Sequence, residues 1–259
     1  MKSKISISVV ILTKNSEKYL SKVLDSLVLF DEVLIIDNGS TDNTLKIAST
    51  YKNVKIYKEE FIGFGPLKNK ALNYCKNDWV LYIDSDEVVT SEMIKKISEI
   101  DLSKKHYVYS FLRFNYYNGK LIKCCGWEND FVIRLFNKNY TCFNNNLVHE
   151  SVVLKKNTKL VKIKEGIDHY SFDSIEELIN KMQYYSTLYA KENKKRVTIL
   201  KAISSATFKF CKNYFFQKGF LYGYEGLVIS VSNANGVFYK YMKLYEKVKN
   251  ENSINNNNL

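Results

Sequence analysis

Four short apolar runs, "ISISVVIL" (5–12), "EVLIID" (32–37), "NVKIYK" (53–58) and "DWVLYID" (78–84), recur through the first 90 residues with helix-like stretches between them. Each run is rich in β-branched or aromatic residues and bounded by polar turn formers, the pattern of a buried strand. After the first comes "SEKYLSKVLDSLVLF", where Tyr19, Leu20, Val23, Leu24, Leu27 and Val28 share one helical face and Ser16 is placed to cap it. "STDNTLKIAST" opens with capping residues, Ser40 and Asp42 among them. "FIGFGPLKNKALNYC" is a glycine loop that sets the only proline of the chain where a helix starts. Strand–helix alternation favours parallel pairing through crossovers. The expected class is α/β, a doubly wound, mostly parallel sheet with ligands at the carboxyl ends of its strands.

The pattern changes near residue 106. "HYVYSFLRFNYYNGKLIKCCGW" alternates and carries a hairpin turn at Asn118–Gly119. "FVIRLFNK" (131–138) and "VHESVVLKK" (148–156) read as further strands. From about 174 to 248 the chain reads as helical, basic and rich in Tyr and Phe, and "NSINNNNL" as a disordered tail. The expected division is an α/β domain over 1–172, with halves 1–100 and 101–172, a helical region over 173–248 and a tail over 249–259.

The formal charge of +12 favours an anionic partner: nucleic acid, membrane surface or phosphorylated substrate. Only Arg113, Arg134 and Arg196 are arginine, so composition bias toward lysine supplies part of that charge. Five cysteines without a C-x-x-C argue against a disulfide framework and a structural zinc site, and fit the reducing cytoplasm. No stretch of 18 apolar residues occurs, so no spanning helix is expected.

Polar clusters end three of the four runs: "TKN", "DNGSTD" and "DSDE". "DSDEVVTSE" lacks the glycine and third oxygen ligand of an EF-hand, and "HESVV" lacks the second histidine of a zincin. "GFGPLK" lacks the third glycine of a dinucleotide fingerprint, and there is no P-loop. In "DSDE", Asp84 and Asp86 alternate and can face one cleft, where a divalent cation shared with a diphosphate would neutralise them. Glu87 reads as a solvated acid starting the next turn.

The order "VVILTKN", "EVLIIDNGSTDNT", "GFGPLKNKAL", "DWVLYIDSDEVV" resembles family 2 glycosyltransferases of the GT-A fold over residues 5–90. The later "GWENDFVIRLF", "LVHE", "DHYSF" and "GFLYGYEGL" resemble the lipopolysaccharide-core β-glucosyltransferases. The resemblance implies a bacterial, inverting, metal-dependent hexosyltransferase. Its donor would be a nucleotide sugar (UDP-glucose first) and its acceptor a lipopolysaccharide core or other glycolipid. It would work as a peripheral protein at the inner face of the inner membrane.

The same resemblance assigns residues. Thr13, Asn15, Asp37 and Asn38 would hold base and ribose; Asp37 can accept the imide N–H of uracil or cap the turn before the next helix. Lys68 and Asn69 stand where phosphate or ribose contacts form, against an ordinary solvated lysine. Asp84 and Ser85 would face the nucleoside, and Asp86 would bind Mg²⁺ or Mn²⁺. Asp130 is the general base, with Glu128 as rival. Trp127 stacks on a sugar or sits in a core. Arg134, alone between apolar residues, needs a carboxylate or phosphate partner and is placed near diphosphate or acceptor. His149 is a third metal ligand or a structural histidine, and His169 carries the same ambiguity. The lysines and aromatics of 200–224 suit either an anionic membrane surface or packing on the catalytic domain.

Two other classes remain at this stage. A nucleotidyltransferase would carry a glycine-rich basic loop after the first strand, where "ILTKNSEKYL" has no glycine. A nucleic-acid or membrane binding module would have basic strand ends, and these are acidic and polar.

Overall fold

The structure, a computed structural model, describes residues 4–257, with side chains through Glu251. Its first stretch alternates as the hydrophobic runs require: β1 (Ile5–Thr13), α1 (Glu17–Ser26), β2 (Phe30–Asp37), α2 (Thr44–Ala48), β3 (Val54–Lys58), α3 (Phe64–Leu72) and β4 (Trp79–Tyr82). Then follow β5 (Glu87–Val89), α4 (Ser91–Ser98), β6 (Tyr107–Tyr117), β7 (Lys120–Leu121), β8 (Phe131–Asn137) and β9 (Lys159–Phe172). Helices α5 (Ile175–Glu192), α6 (Ile199–Cys211) and α7 (Gly223–Asn257) end the described chain.

The sheet path is β3-β2-β1-β4-β8-β6-β9-β5, with β7 paired to β6. β1 lies parallel to both β2 and β4, and β2 parallel to β3. β8 is antiparallel to β4 and β6, and β5 to β9. Alternate β1 residues serve opposite faces. Ile7, Val9 and Ile11 pack with Leu20, Val23 and Leu24 of α1 and Met93 and Ile97 of α4. Val10 packs with Leu67, Ala71 and Leu72 of α3. Each buried Val, Leu, Ile or Met side chain among them contributes about 1.5–3 kcal/mol. This double covering is why the runs read as continuous apolar stretches.

The chain divides into two compact units, one running to Phe114 and including Asn129–His169, the other Asn115–Glu128 and everything from Tyr170 on. In the second, Asn118 (φ 47°) and Gly119 (φ 73°) make the hairpin turn between β6 and β7, where two successive left-handed residues match the strand twist.

Two expectations fail. Residues 148–156 form no strand. Apart from one isolated bridge, Phe143 to Val152, their backbone closes on a local loop. Asn144 N donates to Ser151 O and Val153 N to Cys142 O, while the Asn144 side chain holds Ser151, so few groups remain for the sheet. The long edge-ward strand is instead β9. The tail is helical where it is described: α7 runs to Asn257, because after Gly236 no glycine or proline interrupts it and asparagine costs only a fraction of a kcal/mol per residue in a helix. Residues 258–259 lie outside the described chain.

Candidate active site

The polar residues after β1 and β2 mostly bind each other. Asp37 ends β2 and is almost fully buried. Its Oδ1 accepts from Thr13 Oγ1 and Ser40 Oγ, and its Oδ2 from the backbone N–H groups of Gly39 and Ser40, both at 3.0 Å. A carboxylate has about four lone-pair sites, and the end of β1 and the loop after β2 supply donors to all of them here. Asn15, with φ 51°, accepts from Thr41 N at 2.8 Å, and its own N–H donates to Ser40 Oγ at 3.0 Å. Thr13, Asn15 and Asp37 thus brace two loops, with Asp37 closing the turn after β2. Asn38 keeps an open side: it lines a cavity of about 350 Å³ with Gly39, Ser40 and Lys58, Glu59 and Glu60 beyond β3.

One helix cap differs from expectation, while Asp42 caps the start of α2 as expected. Ser16 makes no side-chain bond into α1; its Oγ accepts from Lys14 N. Asp42 serves instead, taking Glu17 N on one oxygen and Thr44 N on the other.

Burial pushes the Asp37 carboxyl up, but the bonds from Ser40, Thr13 and Gly39 outweigh it and hold it below the usual carboxylate range. The stabilisation is then complete above the unfolded-state value near pH 4 and fades as pH falls through the folded value. Asp37→Ala is expected to cost about 1.5–3 kcal/mol at pH 7. In urea unfolding the gap from the wild type should narrow below pH 4; a gap independent of pH would contradict this role.

Lys68 and Asn69 are spent inside the fold. Lys68 is buried, paired with Glu150 at 2.5 Å, and lies over the rings of Tyr82 and Phe143 at 4.9 and 5.1 Å. Asn69 exchanges two 2.9 Å bonds with the backbone of Phe143. The first N–H groups of α3 are taken as well: Phe64 N donates to Leu147 O and Gly65 N to Asn146 O. A Cβ at Gly65 would stand 2.2 Å from Asn144 O, which explains the glycine. The phosphate contact expected here has no free donor at this helix start.

The turn after β4 is organised differently. Asp84 and Glu87 close it reciprocally: Glu87 N donates to Asp84 O and Asp84 N to Glu87 Oε2, each at 3.0 Å. Strand β8, antiparallel to β4, brings Arg134 to this turn, where one guanidinium nitrogen bonds both Asp84 and Glu87. Arg134 therefore meets the carboxylates its sequence setting demanded, inside the protein rather than on diphosphate or acceptor. Glu87 is 0% exposed, the reverse of a solvated acid. It is tolerated there because two arginines surround it, Arg134 and Arg113, the latter at 3.5 Å. Burial pushes Asp84 up, but Arg134, Lys68, His169 and Arg113 together hold it well below the carboxylate range. Burial pulls Arg134 down, yet Asp84 and Glu87 raise it above its ordinary value.

Asp84, Ser85 and Asp86 are all half-buried and leave one side of the turn open. Asp86 Oδ2 lies 3.5 Å from His169 Nε2, brought there by the β5–β9 pairing that sets His169 opposite Glu87. His149 does not join them: among the described residues no three His, Cys, Asp or Glu side chains cluster closely enough to hold an ion. The histidine at the acidic turn is His169.

Asp130 precedes β8. Its carboxylate accepts from Arg113 Nε at 2.8 Å and Nη2 at 2.7 Å, and its backbone oxygen from Arg113 N at 2.8 Å. Because Arg113 also reaches Glu87, Asp130 stands one guanidinium away from the "DSDE" turn. In the second unit, Glu128 Oε2 accepts from Gly126 N at 3.0 Å, and Trp127 packs on Phe172 with centroids 5.9 Å apart. Trp127 is a core-packing residue there, and Glu128 a turn-closing one.

Sequence reasoning missed Arg113 and misjudged Glu87. A signal was present for the first: in a chain with 36 lysines, two of the three arginines converge on this turn, where the planar fork binds two groups at once.

Residues 8–141 match the family model for glycosyl transferase family 2. An uncharacterised glycosyltransferase of Rickettsia typhi is 32% identical over 97% of this chain and 91% of its own length. The lipopolysaccharide core biosynthesis glycosyltransferase LpsC of Rhizobium meliloti is 26% identical over 94% of this chain and 93% of its own. A crystal structure of Staphylococcus aureus TarS with UDP is 18% identical and covers 95% of this chain and 91% of that one, with a TM-score of 0.46. By the family match and the near full-length likeness to its rickettsial relative, the chain belongs to glycosyltransferase family 2.

Proposed function

We propose that the enzyme transfers a hexose, with inversion, from a nucleotide sugar to a lipopolysaccharide-core or related glycolipid acceptor at the cytoplasmic face of the membrane. UDP-glucose is the first donor to try. The observation that carries this reading is Arg113, which spans the acidic turn at Glu87 and the carboxylate of Asp130. This contact supports reading Asp130 as a general base beside the turn that would receive the diphosphate. The near full-length likeness to LpsC supports the choice of acceptor.

In this reading Asp130 takes the proton of the acceptor hydroxyl as its oxygen attacks the anomeric carbon. The bond from that carbon to the diphosphate breaks, and the nucleoside diphosphate leaves with the electron pair. Arg113 fixes the Asp130 carboxylate in one orientation. Asn38 offers the nucleobase a polar wall at the cavity beyond β2 and β3. The donor set suits a divalent cation: the half-buried Asp86 and the buried His169 beside it would give one oxygen and one nitrogen. Mg²⁺ or Mn²⁺ usually takes one or two protein ligands and completes its shell with phosphate oxygens and water. Bound there, it would stabilise negative charge on the leaving diphosphate.

Asp86→Ala is expected to lower transfer about a hundredfold and to weaken Mn²⁺ binding in the presence of nucleoside diphosphate, read by calorimetry. Full transfer in excess chelator would remove the metal from the account.

A further inference from the structure

The second unit carries an apolar and basic surface that glycosyl transfer as such does not require. From Asn193 to Tyr224 the sequence holds seven basic residues and no aspartate or glutamate. Within it, α6 turns Ala202 inward and leaves Leu200 75% exposed, with Ile203 and Phe208 also in solvent. The π-helical turn Lys212–Phe216 follows, and there Phe215 is exposed and Phe216 is 82% exposed. Phe220 and Leu221 continue the patch in the next short turn, Gly219–Tyr222. Lys201, Lys212 and Lys218 stand exposed among them.

The outward phenylalanines are fixed by what is buried beneath them. Asn213 is fully buried, donates to Cys125 O at 2.8 Å and accepts from Asn233 Nδ2 at 3.1 Å. Gln217 N closes the turn on Lys212 O at 2.8 Å. Gly219 sits so close to the core that a Cβ would meet Ser230 Oγ at 2.9 Å. With Asn213 and Gly219 riveted inward, Phe215, Phe216 and Phe220 have the outer side left to them.

We propose that this surface, Leu200 to Leu221, docks the enzyme on an anionic lipid bilayer, with the aromatic side chains entering the interface and the lysines on headgroup phosphates. Large apolar groups ringed by lysine, without a carboxylate among them, are the composition of an interfacial element. A second copy of this chain fits poorly, since like charges would face each other. No described helix is long and apolar enough to cross a membrane, so attachment through this part of the chain is peripheral. The proposal rests on the glycolipid reading for its purpose, but the contact itself needs no turnover.

The test is sedimentation of the full-length protein with vesicles of phosphatidylcholine alone and of phosphatidylcholine with phosphatidylglycerol. Binding should require the anionic lipid, weaken with salt, and fall about tenfold or more in both Phe215→Ala/Phe216→Ala and Lys201→Glu/Lys212→Glu. These side chains are exposed, and nucleotide-sugar binding by the variants checks their fold. Absence of binding, equal binding to neutral vesicles, variants that bind as the wild type does, or a patch that instead binds RNA or makes dimers would each overturn the proposal. Transfer to detergent-dispersed acceptor, measured alongside, separates loss of this surface from loss of the transferase reading.

Discussion

Asp130→Asn is expected to lower sugar transfer by about 10²–10⁴-fold, the usual contribution of a positioned general base. Nucleotide-sugar binding and unfolding midpoint should stay near wild type. The substitution keeps shape and one acceptor oxygen for Arg113, whose fork now holds the carboxylate at 2.7 and 2.8 Å. It removes the group that can take a proton. Glu128→Gln is the control, because Glu128 is occupied by Gly126 N and closes a turn. A large loss with Glu128→Gln and a small one with Asp130→Asn would exchange the two assignments.

Glu87→Ala is expected to destabilise the protein by about 3–5 kcal/mol, the cost of leaving buried charge uncompensated. Glu87 alone bonds Asp84 N and faces both Arg134 and Arg113. Its removal leaves Arg134 buried with only the half-exposed Asp84 and frees Arg113 to turn away from the acidic turn. Urea unfolding reads the first effect. Transfer at a temperature where the variant is folded reads the second, with Glu87→Gln expected to lose less because it keeps an acceptor for Asp84 N. A Glu87→Ala variant within 0.5 kcal/mol of wild type would contradict the buried network.

The parallel half of the fold was legible because burial on both faces writes itself as uninterrupted β-branched runs, as in Val9, Val10 and Ile11. The 148–156 loop was not, because its valines look like a strand while Asn144 and Thr141 capture its backbone groups. The polar strand ends were found, but which of their members are free was not legible. Residue type does not tell whether Asp37 points its lone pairs at a ligand or at Ser40. The same holds for Glu87, whose burial depends on two arginines that are 26 and 47 residues away in sequence. Nor could the sequence separate His169 from His149, because only the pairing of β5 with β9 brings His169 to Asp86.

The central claim is that the strand-end site takes a nucleotide sugar and transfers its hexose. Calorimetric titration of the purified enzyme with a panel of nucleotide sugars, with and without Mn²⁺, tests it most directly. At least one nucleotide hexose, UDP-glucose first, should bind, more tightly with the cation, and saturating it should stabilise the fold by about 2.7 kcal/mol at a hundred times Kd. Absence of binding by every nucleotide sugar, with and without the cation, would contradict the account.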